Sequence, residues 1–251
     1  MKQWQRYLAE LFGTFILVFG GTTSVLAALH FGGGGFVEFI VPFGFGLSLM
    51  AGLYAFAEVS GGHFNPAVSL GLFLDRRLTF EDLLGYWIFQ FAGAILASLL
   101  MLIPFSHDLV KSTATVPQAG NGNAIFIEIV MTAIFVLVIL QSTKSDRYGG
   151  TALVAIPLTL TAVHFASVSF SGTGVNPAQS LGPALVGSQW TQFWIYVVGP
   201  AAGAIIAWII YTVVIKGDTD LRDDMQRIRA EVRPPSPPAT TTTAGTPPPT
   251  G

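Results

Sequence analysis

Long apolar runs alternate with short polar segments along most of the chain. Six runs, near residues 7–29, 39–57, 83–104, 124–142, 151–170 and 192–215, are long enough to be membrane-crossing helices, because about 20 helical residues cover roughly 30 Å of hydrocarbon. The first run is too long for the apolar stretch of a signal peptide, so it is read as a retained span. Beyond Lys216 the pattern breaks. Residues 217–233 are charged, with Leu221, Met225, Ile228 and Val232 at helical spacing, and read as a short amphipathic cytoplasmic helix on the membrane surface. Residues 234–251 contain only Pro, Ser, Ala, Thr and Gly, a composition expected to remain disordered. The expected plan is one membrane domain over 1–216, then the charged segment and the tail.

Composition agrees with the pattern. Apolar residues make up 51% of the 251 positions and charged residues only 10%, and the mean hydropathy is +0.61. A soluble domain carries about 25% charge, so this chain has too little polar surface to face water on all sides. A net charge of -2 suggests no nucleic-acid partner. There is no cysteine, and His30, His63, His107 and His164 lack metal-ligand spacing, so neither a metal nor a cofactor is expected.

The basic residues set the topology. With both termini cytoplasmic, the inner segments hold Lys2, Arg6, Arg76, Arg77, Lys144, Arg147, Lys216, Arg222, Arg227, Arg229 and Arg233, and the outer loops hold only Lys111. Cytoplasmic loops of membrane proteins carry such an excess, which predicts a multi-pass protein of the cell membrane with both ends inside.

The chain also repeats itself. Residues 65–74 read NPAVSLGLFL and residues 176–185 read NPAQSLGPAL, agreeing at seven of ten positions. Glu10 and Thr14 in the first span match Glu128 and Thr132 in the fourth, and Gly93-Ala94-Ile95 matches Gly203-Ala204-Ile205. Each half, about 7–104 and 124–215, then has three spans, with the motif between its second and third. Three is odd, so the halves insert with opposite orientation, the plan in which short interrupted segments meet near the bilayer midplane. The predicted fold class is an all-α membrane protein with six transmembrane helices and two half-helices in an inverted three-span repeat.

Proline is favoured at the first helical position and asparagine just before it as an N-cap. Asn65-Pro66-Ala67 and Asn176-Pro177-Ala178 therefore each read as a helix start. Two starts meeting at the midplane bring together two positive dipole ends of roughly half a charge each, a field that opposes cations. The Asn65 and Asn176 amides can donate to a passing water. The non-helical stretches before them, Ser60–Phe64 and Ser171–Val175, must line a cavity, because bare carbonyls cannot face lipid.

At these residues the sequence resembles the aquaporin family, along residues 5–215, carried by AELFGTF (9–15), SGGHFNPAVSLG (60–71) and GVNPAQSLGPAL (174–185). The resemblance implies passive water conduction, a right-handed helical barrel and a homotetramer with one pore per subunit. Ser180 and Ala184 match the water-selective microbial branch, while Val197 departs from the tryptophan often found on the last span. By the family's spacing, the outer constriction falls on Phe45, His164, Thr173 and Gln179. An aromatic and a histidine would narrow the pore to about one water.

Gln179 stands where the family nearly always has arginine. Arginine is permanently cationic with five donors, whereas glutamine is shorter and uncharged. No Lys or Arg occurs from Tyr148 to Ile215, which leaves Lys111 as the cation available on the outer face. Water is still expected to pass. The opening is expected to widen, so that ammonia, urea, glycerol or other small neutral solutes leak, and cation exclusion leans on the half-helix dipoles. The alternative is that a neighbouring group fills the gap and selectivity is unchanged.

Intramembrane carboxylates are functional candidates because they are costly there. Glu10 and Glu128 can accept from the N–H groups of the non-helical loops, a scaffolding role that the resemblance supports. The rival reading is ion coupling in a secondary transporter. Glu58, near the cytoplasmic mouth, is read as vestibule lining, with protonation gating as the alternative. Gly32–Gly35 reads as an extracellular turn. No Ser-His-Asp grouping or phosphate-binding loop points to an enzyme.

Overall fold

The computed structural model of the protein describes residues 1–32, 35–144 and 149–216. The charged segment 217–233, the tail 234–251, Arg147 and part of the glycine turn lie outside the described residues. Among the described residues there is no β-strand, and six helices are long and apolar enough to cross a membrane.

The first half consists of α1 (Gln3–His30), α2 (Gly35–Ser60), the short α3 (Pro66–Leu74) and α4 (Phe80–Met101). The second consists of α6 (Asn121–Ser142), α7 (Gly149–Ser171), the short α8 (Pro177–Val186) and α9 (Ile195–Ile210), which runs on as a π-helical turn, Tyr211–Lys216. A further short helix, α5 (His107–Ser112), sits in the connection. The packing obeys the repeat: α1 lies on α2 and α4 as α6 lies on α7 and α9, while α3 lies on α9 as α8 lies on α4. Exchanging the halves maps each pairing onto another, and α2–α7 and α3–α8 onto themselves.

Most helices extend a few residues beyond the expected runs, and two ends fall short of them. The third span ends at Met101 rather than 104, because Leu102 and Ile103 bond back only three residues and Pro104 cannot continue a helix. The sixth starts at Ile195 rather than 192, because Gln192 is left-handed at φ 52°. The helix α5 has no counterpart in the apolar pattern. Ser106 caps it, and its Lys111 backbone packs so closely on Gly187 that a Cβ there would come within 2.5 Å.

Small residues bring the helices together. A Cβ on Gly93 would lie 2.2 Å from the Leu11 carbonyl, and one on the matching Gly203 2.5 Å from the Ile129 carbonyl. Such close backbone approach is how membrane helices pack without a hydrophobic driving force. Large apolar side chains such as Phe39, Ile88, Phe126 and Val213 are exposed on the outside, as a lipid-facing surface requires. Polar groups are drawn inward instead, which leaves the interior to position the two half-helices.

Candidate functional site

The site is built where the two non-helical loops meet. Asn65 is extended at φ -156° and its Oδ1 accepts from Ala67 N at 2.8 Å. Asn176 is extended at φ -147° and its Oδ1 accepts from Ala178 N at 3.0 Å and Gln179 N at 3.3 Å. Each asparagine therefore caps its half-helix with Pro66 or Pro177 at the first position. The other end of each amide crosses over. Asn65 Nδ2 donates to the Val175 carbonyl and Asn176 Nδ2 to the Phe64 carbonyl, both at 2.9 Å. The half-helices thus point at each other, and the two bonds tie one half of the chain to the other.

Those carbonyls are aimed by strained backbone. Phe64 and Val175 are left-handed at φ 47° and 44°, and Thr173 at φ 54°. Such a conformation is a true outlier for a β-branched valine and persists only where the surroundings over-determine it. The surroundings here are two carboxylates. Glu10 accepts from Ser60 Oγ at 2.6 Å, His63 N at 3.0 Å, Phe64 N at 2.7 Å and Gln90 Nε2 at 2.8 Å. Glu128 accepts from Ser171 Oγ and Gly174 N at 2.7 Å and from Val175 N at 2.6 Å. Both are fully buried. The Ser60 and Ser171 hydroxyls also accept from Gly62 N and Thr173 N at 3.1 Å, and their carbonyls accept from the Tyr86 and Tyr196 hydroxyls at 2.6 Å.

Ser60, Ser171, Tyr86 and Tyr196 were not apparent as site residues in the sequence. The repeat carries their signal, since the serines are matched across the halves as the asparagines are, and the tyrosines as Gly93 and Gly203 are.

Cavities flank the crossing. One, called the outer cavity from the orientation that the basic residues predict, has about 430 Å³ and is lined by Phe45, Gln179 and Gly172 together with Glu38 and the 112–116 segment. The inner one, of about 150 Å³, is lined by Gly61, Gly62 and His63 together with Val68, Leu72 and Arg77. Arg77 is steadied by Asp75, Thr143, the Leu140 carbonyl and the Tyr211 hydroxyl, and Lys216 reaches the other oxygen of Asp75 at 2.5 Å. Glu58 is exposed and lines neither of these cavities; His63 and Arg77 occupy the inner mouth in its place. Lys111 is exposed and does not line the outer cavity.

The four constriction positions are all buried, and they come together in pairs. The Phe45 and His164 rings stack with centroids 4.7 Å apart. His164 Nδ1 lies 2.9 Å from the Leu160 carbonyl. Gln179 Nε2 donates to the Thr173 carbonyl at 3.2 Å, and the Thr173 hydroxyl lies 2.8 Å from Ser167 Oγ. His164 Nε2 and Gln179 Oε1 are buried without a protein partner.

A six-span bundle whose two half-helices meet tip to tip, with a cavity on either side, defines the class of inverted-repeat membrane channels. Comparison with known proteins makes this specific: residues 1–211 match the Major intrinsic protein family, and the chain belongs to that aquaporin family, whose members are channels for water and small solutes. Aquaporin Z of Brucella melitensis is 39% identical over 222 residues, covering 84% of this chain and 97% of that protein. Glycerol uptake facilitator protein-like 6 of Lactiplantibacillus plantarum is 38% identical over 211 residues, covering 81% and 94%. The crystal structure of the aquaglyceroporin from Plasmodium falciparum superposes with a TM-score of 0.76 at 23% identity, covering 88% of this chain and all of that one, and shares the fold.

Proposed function

We propose that the protein is a passive water channel driven by osmotic gradients, whose outer constriction lacks the usual arginine and leaks small neutral solutes. One observation carries the reading: the Asn65 and Asn176 amides cross at the meeting point of two helix starts, with a cavity on either side. Each amide nitrogen has a second hydrogen beyond the one given to a loop carbonyl, which a passing water oxygen can accept. Phe45, His164, Thr173 and Gln179 form the filter in this reading. Glu10 and Glu128 act as loop scaffolds; their oxygens are occupied by loop donors, which leaves no role in ion coupling.

The Aquaporin Z relatives favour water. A channel mainly for small neutral solutes is the second reading, favoured by the uncharged Gln179 and by the glycerol facilitator-like relative. The protein is taken as a homotetramer of the cell membrane, in 1–216, with both termini cytoplasmic. The start of α1, the end of the last helix and the Arg6–Asp82 and Arg77–Asp75 ion pairs support that orientation, since they gather basic residues at the ends of the spans.

Stopped-flow osmotic shrinkage of proteoliposomes tests the reading, with water and urea flux measured for wild type and Gln179→Arg. Water permeability well above protein-free vesicles, with a urea leak that Gln179→Arg closes, is the expected result. Water flux no higher than in empty vesicles, or flux that follows a proton or sodium gradient, would overturn it.

A further inference from the structure

We infer that Arg77 is a charge barrier fixed at the inner mouth, where it turns back cations that the uncharged outer filter does not repel. The inference rests on the arginine-free filter described above and names the residue on which charge discrimination then falls.

The end of α3 puts Arg77 there. Asp75 caps the half-helix, and Arg76 is left-handed at φ 61°. Arg76 N then donates to the Phe73 carbonyl and Arg77 N to the Leu72 carbonyl, both at 2.9 Å, a closing turn that folds the chain back on the last carbonyls. It brings Arg77 into the lining of the inner cavity, with Leu72, His63 and Thr143. The same turn closes α8, where Ser188 is left-handed at φ 55° and Gln189 N donates to the Ala184 carbonyl at 2.9 Å. The residue returned there is uncharged and does not line the outer cavity.

The guanidinium is held firmly and still reaches the cavity. Nε donates to Asp75 Oδ2 at 2.6 Å and Nη1 to Thr143 Oγ1 at 3.0 Å. Nη2 donates to the Leu140 carbonyl and the Tyr211 hydroxyl, both at 2.9 Å. Four of the five N–H bonds of an arginine are thereby used, and one Nη1 hydrogen is left over. The Arg77 side chain stays 24% exposed, whereas its partner Asp75 is 1% exposed.

The charge at this mouth is not cancelled. Lys216 Nζ donates to the other oxygen of Asp75, so two cations share one buried carboxylate and the trio keeps one net positive charge. Among the described residues lining the inner cavity, Arg77 is the one with a permanent charge. The outer cavity has the opposite sign, since Glu38 is the one charged group among the described residues lining it. A cation therefore meets no opposing side-chain charge at the outer mouth and meets one at the inner. Val68, Leu72, Phe135, Ile139 and Ile156 make the inner walls apolar, and a low-dielectric wall focuses the field of the charge along the path. A neutral solute of the same size does not feel that field, so the barrier sorts by charge and leaves the neutral leak untouched.

Urea and guanidinium test it, being alike in size and planarity and different in charge. Entry of each, labelled, is measured with the full chain in liposomes under an inside-negative potential, with water flux read by light scattering in the same vesicles. In Arg77→Gln the guanidinium-to-water ratio is expected to rise about fivefold, the effect of removing a unit charge a few ångströms from a water-filled path. Arg77→Lys keeps the charge and is expected to hold the wild-type ratio. Should Arg77→Gln fail to fold, Lys216→Gln lowers the charge of the trio without touching the cavity lining, and the ratio is expected to rise by less. An unchanged ratio in a folded charge-deleted variant would overturn the inference and leave cation exclusion to the helix dipoles. A rise shared equally by urea, or by Arg77→Lys, would overturn it too, as a loosened mouth. Urea excluded by the wild type, with guanidinium admitted by Arg77→Gln, would support the charge barrier and overturn the leaky filter.

Discussion

Glu128→Ala should cost conduction far more than it costs stability, and the structure shows why. The carboxylate holds three donors, Ser171 Oγ, Gly174 N and Val175 N, in a fully buried site. Leaving three buried donors unmet costs about 3–9 kcal/mol, at about 1–3 kcal/mol each. The loop can recover part of that by relaxing, because Thr173 and Val175 are left-handed and each strained residue stores about 1–3 kcal/mol. The net loss is then a few kcal/mol. The relaxed Val175 carbonyl, however, no longer meets Asn65 Nδ2, and the crossing opens. Glu10→Ala differs. Glu10 holds four donors, and its loop has one strained non-glycine residue, Phe64, beside Gly61 and Gly62. It should therefore lose more stability than Glu128→Ala. Thermal unfolding in detergent and stopped-flow water permeability, measured on both variants, check the pair. Glu128→Ala conducting water at the wild-type rate, or proving less stable than Glu10→Ala, would refute the reasoning.

Other outcomes follow from the same geometry. Asn176→Ala removes a cap and the tie to the Phe64 carbonyl, each worth about 1 kcal/mol, and should lower water permeability; unchanged flux in liposomes would deny the crossing its role. Asn65→Asp places a carboxylate at the meeting point of the helix starts, where it should weaken the cation barrier, to be read as potassium or proton leak in dye-loaded vesicles. Gly93→Ala and Gly203→Ala should each destabilise by about 1–3 kcal/mol through overpacking, because the new Cβ meets a carbonyl at 2.2 Å and 2.5 Å; detergent melting temperatures equal to wild type would show that the helices part freely. Ser171→Ala added to Glu128→Ala should cost less than Ser171→Ala alone, since the bond to Glu128 is already gone and only the one from Thr173 N remains to be lost, a non-additivity that a double-mutant cycle measures.

Much of this architecture was legible because a membrane removes choices. Six apolar runs have to be helices, and two short capped segments have to lie inside the bundle, since their loops cannot face lipid. The repeat then pairs Glu10 with Glu128, and the structure shows both carboxylates facing loop N–H groups. What could not be read is whatever depends on which side chain reaches across. Only their counterparts in the other half, Ser171 and Tyr196, mark Ser60 and Tyr86 as partners of the Glu10 cage, and no periodicity announces the helix α5, which packs against Gly187. Glu58, read from its place in the chain as vestibule lining, is exposed near the end of α2 and lies outside the lining of both cavities, one of which takes His63.

The halves also part company in the side chains around the two half-helices. In the first, Ser69 is held by His63 Nδ1 at 3.0 Å and by Gln90 Nε2 at 2.9 Å. The matching Ser180 is buried with no protein partner, because the matching positions are Gly174 and Pro200. Gly174 has no room for a side chain, since a Cβ would meet Tyr196 at 2.5 Å. The serine of the first half-helix is thus held from two sides, while its counterpart Ser180, like Gln179 Oε1 beside it, has no protein partner. Two loops with the same backbone cage can carry different chemistry only through such side chains.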